Sequence, residues 1–250
     1  MNYYNEFDPK TAAWLRELIK QCLIPNGVVD ERSIIDVRPS ELREYTQCHF
    51  FAGIGGWSYA LQLAGWPEDE PVWTGSCPCQ PFSCAGKQNG NSDERHLWPV
   101  FFNLIHECRP QYVFGEQVAS AIAHGWLDGV SSDLETKEYS CGSVVLGAHS
   151  VEAPHQRQRL YWAASDTNCP RGSRQVALRS ISQAGQWNWR GQEDLQLVAN
   201  NPFIKGNRWP KPLLCSVDDG LSERVGGCHG AGNAIVPQVA AEFIKAFIEC

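Results

Sequence analysis

No apolar run in the 250 residues is long enough to cross a bilayer, and the opening Met1-Asn2-Tyr3-Tyr4-Asn5-Glu6 lacks the basic and apolar regions of a signal peptide. These absences point to a cytosolic protein. A general basic excess is also missing. The 21 Lys and Arg face 28 Asp and Glu, a net charge of −7, so uniform attraction to phosphate is not what the chain offers a partner. Cys77, Cys79 and Cys84 have no second paired cluster at zinc-ligand spacing, and Pro78 interrupts them, which argues against a metal site. In a reducing compartment most of the 11 cysteines then read as buried thiols.

What is present is an ordinary globular composition, 43% hydrophobic and 20% charged, sufficient for one large core with a small lobe. The charge is unevenly spread. Residues 1–165 carry 12 basic and 20 acidic side chains, residues 166–212 carry 7 and 3, and residues 213–250 carry 2 and 5. The basic stretch also holds Trp187, Trp189 and Trp209 beside Arg190 and Arg208, a mixture suited either to phosphate contact with base stacking or to a solvated surface lobe.

Short strands alternate with helices. Tyr3 to Asp8 reads as a strand ending in an acid, Pro9 to Cys22 as a helix, and Gly27 to Asp30 as a second strand ending in an acid. A brief helix over 39–45 precedes a strand from Cys48 that runs into the glycine loop Phe51-Ala52-Gly53-Ile54-Gly55-Gly56, with a helix to Gly65 behind it. Such a turn lets backbone approach a ligand at a helix N-terminus. Further strands are expected at 71–74, 112–114, 143–146 and 160–164, and helices at 97–108, 128–135 and 237–249. The rhythm indicates an α/β fold with a largely parallel sheet. It lapses from Asp166 to about Lys211. Three segments follow: a catalytic and cofactor-binding domain over 1–165, a loop-rich lobe over 166–212, and a return segment over 213–250 whose closing helix packs on the sheet.

The stretch Ser76-Cys77-Pro78-Cys79-Gln80-Pro81-Phe82-Ser83 stands at the end of a buried strand, where open α/β sheets bind ligands. Its Pro78-Cys79-Gln80 resembles the nucleophile motif of the DNA (cytosine-5) methyltransferases. Several other motifs are similar to that family: Phe51 to Gly56 to its S-adenosylmethionine loop, Glu116-Gln117-Val118 to its Glu-Asn-Val motif, Gln156-Arg157-Gln158-Arg159 to Gln-Arg-x-Arg, and Gly232-Asn233-Ala234 to its terminal Gly-Asn motif. The resemblance implies a Rossmann-like S-adenosylmethionine-dependent fold, with residues 166–212 as the target-recognition lobe. Phe51, Gly53, Gly55, Gly56 and Asn233 would hold the cofactor, although Phe51 alternatively belongs to the core and Asn233 to a helix cap.

Two departures stand out. Between Gly56 and Cys79 there is no room for the strand, helix and strand that carry the family's acidic cofactor contacts. Glu6-Phe7 and Asp30 resemble the missing pieces, so the motif order reads as circularly permuted, with Glu6 for the ribose, Phe7 over an adenine face and Asp30 for the adenine amino group. The strands ending near Glu6, Asp30 and Phe51 should then lie side by side and share one pocket. The second departure is Gln117 in place of Asn.

The chemistry asks for a thiolate, since a free cysteine near pKa ~8.5 is only slightly ionised at neutral pH, and Arg157 or Arg159 would favour it. Attack at cytosine C6 asks for a proton at N3, which suits a buried acid of raised pKa, Glu116. Ser83, Arg190 and Arg208 are the expected nucleic-acid contacts. The resemblance implies a monomer acting on double-stranded DNA in the cytoplasm of a bacterial or phage-infected cell. Two other readings stay open: the same chemistry on RNA, and a DNA-binding protein that has lost activity.

Overall fold

A computed structural model describes residues 1–78, 97–151, 153, 157–169 and 234–249. Its centre is one sheet of seven strands: β1 (Asn2–Asn5), β2 (Gly27–Asp30), β3 (Gln47–Phe50), β4 (Val72–Gly75), β5 (Tyr112–Val118), β6 (Tyr139–Gly147) and β7 (Gln158–Asp166). The order across the sheet is β2-β1-β3-β4-β5-β7-β6. The first five strands are parallel, whereas β7 runs antiparallel to both β5 and β6.

Strand alternation divides the core into two layers. Val113 of β5 points to one face, where Phe50, Trp73, Trp162 and helices α3 (Trp98–Cys108) and α4 (Trp126–Glu135) meet. Its neighbours Tyr112 and Phe114 point to the other, against α2 (Gly56–Ala64) and α5 (Pro237–Glu249). Helix α1 (Pro9–Lys20) buries Leu15 against Tyr4 and Ile24. Each large apolar side chain so buried contributes roughly 1.5–3 kcal/mol. The six tryptophans Trp57, Trp66, Trp73, Trp98, Trp126 and Trp162 are all in this core, each less than a tenth exposed. Two glycines make room for it. A Cβ on Gly75 would meet the Phe101 ring at 2.5 Å, and one on Gly115 the Trp162 ring at 2.2 Å.

Local chemistry sets the element ends. Asp8 caps α1 by accepting from the Thr11 N–H at 2.9 Å, with Pro9 at the first helical position, and the helix stops two residues before Cys22, which takes a left-handed φ of 57°. Gly55, at φ 79°, turns the chain from the glycine loop into α2.

The chain passes from β1 outward to β2, then returns to the other side of β1 for β3 and continues through β4 and β5. The direction of winding therefore reverses between β1 and β3. In open α/β sheets that is where a crevice forms beyond the carboxyl ends of the strands.

Candidate active site

Three strand ends meet at this reversal, as expected. The Glu6 N–H donates to the Asp30 carbonyl at 3.0 Å, and the Ala52 N–H to the Asn5 carbonyl at 2.9 Å. The Glu6 carboxylate lies across the crevice: Oε2 accepts from the Gly53 N–H at 2.8 Å and Oε1 from the Asp8 N–H at 2.9 Å. Gly53 has a left-handed φ of 56°, and a Cβ there would meet nothing closer than the Phe51 carbonyl at 4.0 Å. That side of the loop is open. Gly55 and Gly56 instead face protein, since added Cβ atoms would meet Ile24 at 3.0 Å and Ile235 at 2.8 Å. Phe7 is exposed, while Phe51 packs partly into the core and meets the Phe101 ring edge-on.

Asp30 is committed elsewhere. Arg32 binds its carboxylate with Nη2 at 2.7 Å and Nε at 3.1 Å, the Arg32 N–H donates at 2.9 Å and the Tyr3 hydroxyl at 2.8 Å. Four donors occupy the acceptor positions a carboxylate has.

The second half of the site lies across β3. β4 ends at Gly75 and Ser76 follows, with Cys77 buried and Pro78 exposed. Cys79 and Ser83 lie outside the described residues, as do Arg190, Arg208 and Asn233. Glu116 sits inside β5, opposite Tyr161 of β7. Arg159 lies two pairs further along that ladder, and its Nε stands 3.1 Å from Glu116 Oε1; both side chains are about a tenth exposed, at 11% and 9%. Burial pushes the Glu116 carboxyl above its ordinary range, although the charges of Arg159 and Arg157 and a hydrogen bond with Ser76 pull it down. Arg157 takes a positive φ of 29° and donates from Nη2 to the Ala234 carbonyl at 2.8 Å, tying the return segment to the site. Gln117, standing where the resemblance expects Asn, donates from Nε2 to the Cys77 carbonyl at 3.4 Å and accepts from the Val118 N–H at 3.0 Å.

The profile of the C-5 cytosine-specific DNA methylase family matches residues 66–183, a span that contains the Pro78-Cys79-Gln80, Glu116 and Arg157 to Arg159 positions. Over that span, a little under half of the chain, it is similar to the DNA (cytosine-5) methyltransferases. Among curated relatives of the chain, type II methyltransferase M.HhaI of Haemophilus parahaemolyticus is 27% identical over 169 residues, covering 51% of each chain. M.AplI of Arthrospira platensis is 27% identical over 138 residues, 54% of this chain and 34% of its own. The chain therefore spans about a third to a half of the length of these curated relatives. Among solved structures, a Spodoptera frugiperda DNMT2 variant aligns over 67% of this chain and 50% of its own at 14% identity, with a TM-score of 0.43.

The likeness to that family implies S-adenosylmethionine as cofactor. The residues at the β1/β3 crevice fit it: an open left-handed glycine, a carboxylate beside it at a strand end, and a helix whose first turn has no side-chain cap. Sequence reasoning missed Ser76 and Trp57. Trp57 Nε1 donates to Ser76 Oγ at 2.9 Å, linking the first turn of α2 to the residue that meets Glu116. The only signal was a serine directly after the strand that leads to the nucleophile motif.

Proposed function

We propose that the chain methylates C5 of cytosine in DNA, with Cys79 as nucleophile and Glu116 as the acid. The observation that carries this is Glu116 itself. A carboxyl group buried in the strand next to β4, with burial opposing its ionisation, is suited to give a proton to a neutral ring nitrogen. S-adenosylmethionine, when bound, supplies an electrophilic methyl group. The Cys79 thiolate bonds to C6 of the base, and the ring electrons move toward N3, which takes the proton of Glu116. C5 thereby becomes nucleophilic and would take the methyl group, the cofactor leaving as its neutral thioether; loss of the C5 proton to water then expels Cys79 as thiolate, and N3 returns its proton to Glu116. Arg159 holds the acid by its Oε1. Arg157 fixes the return segment behind it.

Glu6 is positioned to accept from ribose hydroxyls, with Phe7 and Phe51 beside it and Gly53, Gly55 and Gly56 shaping the loop. Because Asp30 is held by Arg32 and Tyr3, its part in this reading is to form the wall of the crevice. The acids of the crevice, Glu6 as contact and Asp30 as wall, thus precede the glycine loop in the chain, a permuted order. Residues 166–212 are assigned to the target strand, with Arg190, Arg208 and Ser83 as contacts while the base is out of the duplex. Asn233, of the terminal Gly-Asn motif, is assigned to the cofactor.

The test is Cys79→Ser. It should abolish methyl transfer to cytosine-containing DNA while S-adenosylmethionine binding persists, because a hydroxyl with no strong base beside it does not replace a thiolate. Cys77→Ser should retain substantial activity. Turnover by Cys79→Ser, or methylation of RNA with none of DNA, would overturn the assignment.

A further inference from the structure

Residues Ala234 to Val236 lead into α5, and each is held by a different partner. The Ala234 carbonyl accepts from Arg157 Nη2 at 2.8 Å, and the Val236 carbonyl accepts from the Ala240 N–H at 3.1 Å, which opens the helix. Ile235 lies between them. It is 7% exposed and presses on the start of α2, because a Cβ on Gly56 would meet its Cγ1 at 2.8 Å and its carbonyl oxygen at 3.8 Å. Gly56 is the first residue of that helix, and no side chain caps the free N–H groups of its first turn. The path of the glycine loop into α2 therefore depends on where Ile235 sits.

We propose that Arg157 is a positioning residue for the cofactor side of the site, acting through Ala234 and Ile235 on the glycine loop. This rests on the reading of residues 51–56 as the cofactor loop. Arg157 stands directly before β7 and takes a φ of 29°, a region uncommon for residues other than glycine. Such a backbone persists where its surroundings over-determine it, and the bond to Ala234 reaches a residue 77 positions away. From the other end the segment is fixed by α5, whose Phe243 and Phe247 meet Phe114 of β5 with ring centroids 6.0 and 4.9 Å apart. The guanidinium is thus a polar tie on the loop side, and the ring contacts are an apolar tie on the helix side. Losing the first releases Ala234 while α5 stays docked. Ile235 can then withdraw from Gly56, and the turn that faces the cofactor loses its support.

Calorimetry of S-adenosylmethionine binding to the intact chain, in the absence of DNA, tests this apart from the chemistry. Arg157→Met keeps the stem and removes the donors, and it should weaken binding roughly tenfold, the fold-change for loss of a charged hydrogen bond. Arg157→Lys retains a charged donor and should restore most of the affinity. Ile235→Val should weaken binding by about fourfold, the loss of one buried methylene. In the double variant of Arg157→Met with Ile235→Val the two losses should fall short of additive, since both act at one contact. Wild-type affinity in folded Arg157→Met, or in Ile235→Val should Arg157→Met not fold, would overturn the proposal, as would full additivity. Absence of S-adenosylmethionine binding by the unaltered protein would instead overturn the reading of the loop, so the two failures are told apart.

Discussion

Asp30 and Glu116 lie near the carboxyl ends of parallel strands, each facing an arginine, yet they differ in the form they favour. Burial is the largest influence on both and pushes both toward protonation. At Asp30 the side-chain and backbone hydrogen bonds of Arg32, with that of Tyr3, outweigh it and hold the carboxyl below its usual range. At Glu116 one Arg159 contact, the more distant charge of Arg157 and the Ser76 hydroxyl do not. An arginine neighbour therefore does not by itself identify a structural ion pair. The number of donors, set against the depth of burial, separates a carboxylate locked at the edge of the sheet from one poised to exchange a proton.

The sharpest way to break this comparison is Glu116→Gln, which keeps the shape and removes the proton. We expect kcat for methyl transfer to fall roughly 10²- to 10⁴-fold, the range for loss of a general acid, in single-turnover assays. Glu6 offers a third carboxylate, held by backbone N–H groups of Gly53 and Asp8. Glu6→Ala should weaken S-adenosylmethionine binding roughly tenfold to a hundredfold by calorimetry, the cost of one charged hydrogen bond. Wild-type affinity would remove Glu6 from the site.

The smallest effect is on stability, and its sign differs between the two acids. The folded Asp30 value is lowered, so its contribution is present above an unfolded value near ~3.9 and is lost as pH falls through the folded value. Asp30→Asn should therefore flatten the acid side of the stability curve, at a cost of about 1 kcal/mol near neutrality because the Arg32 partner is half exposed to solvent. The folded Glu116 value is raised, so stability falls as pH climbs from an unfolded value near ~4.3 through the folded one, and Glu116→Gln should abolish that fall. Urea melts across the acid-to-neutral range read both. Matching pH slopes in the two variants would erase the distinction.

Much of this was legible in the sequence. The closing helix occupies residues 237–249 and β2 residues 27–30, and the three strand ends lie side by side as the family resemblance implies. β5 extends past Phe114 to Val118, because Gly115, Glu116 and Gln117 break the apolar pattern by which a buried strand is read while still pairing with β7. β6 is longer at both ends for a similar reason, its small and polar residues masking the strand. The antiparallel direction of β7 leaves no residue signature. Nor does the capture of Asp30 by Arg32, since two residues apart at a strand end either diverge or fold back according to the turn. Contacts between distant segments, such as Trp57 with Ser76, depend on packing that no local pattern encodes.

The docking of α5 on α2 carries a consequence for how the protein reaches its working form. The two helices are separated by more than half the chain, and α5 supplies Val239, Phe243 and Phe247 to the layer that encloses Trp57. Contacts of such sequence separation close a large loop before they are rewarded, so they form late in folding. Until they form, the Trp57 indole has one side unpacked. The layer around Trp57 is therefore expected to be among the last features of the molecule to mature. A refolding experiment that follows tryptophan burial should see catalytic competence appear only with the final phase.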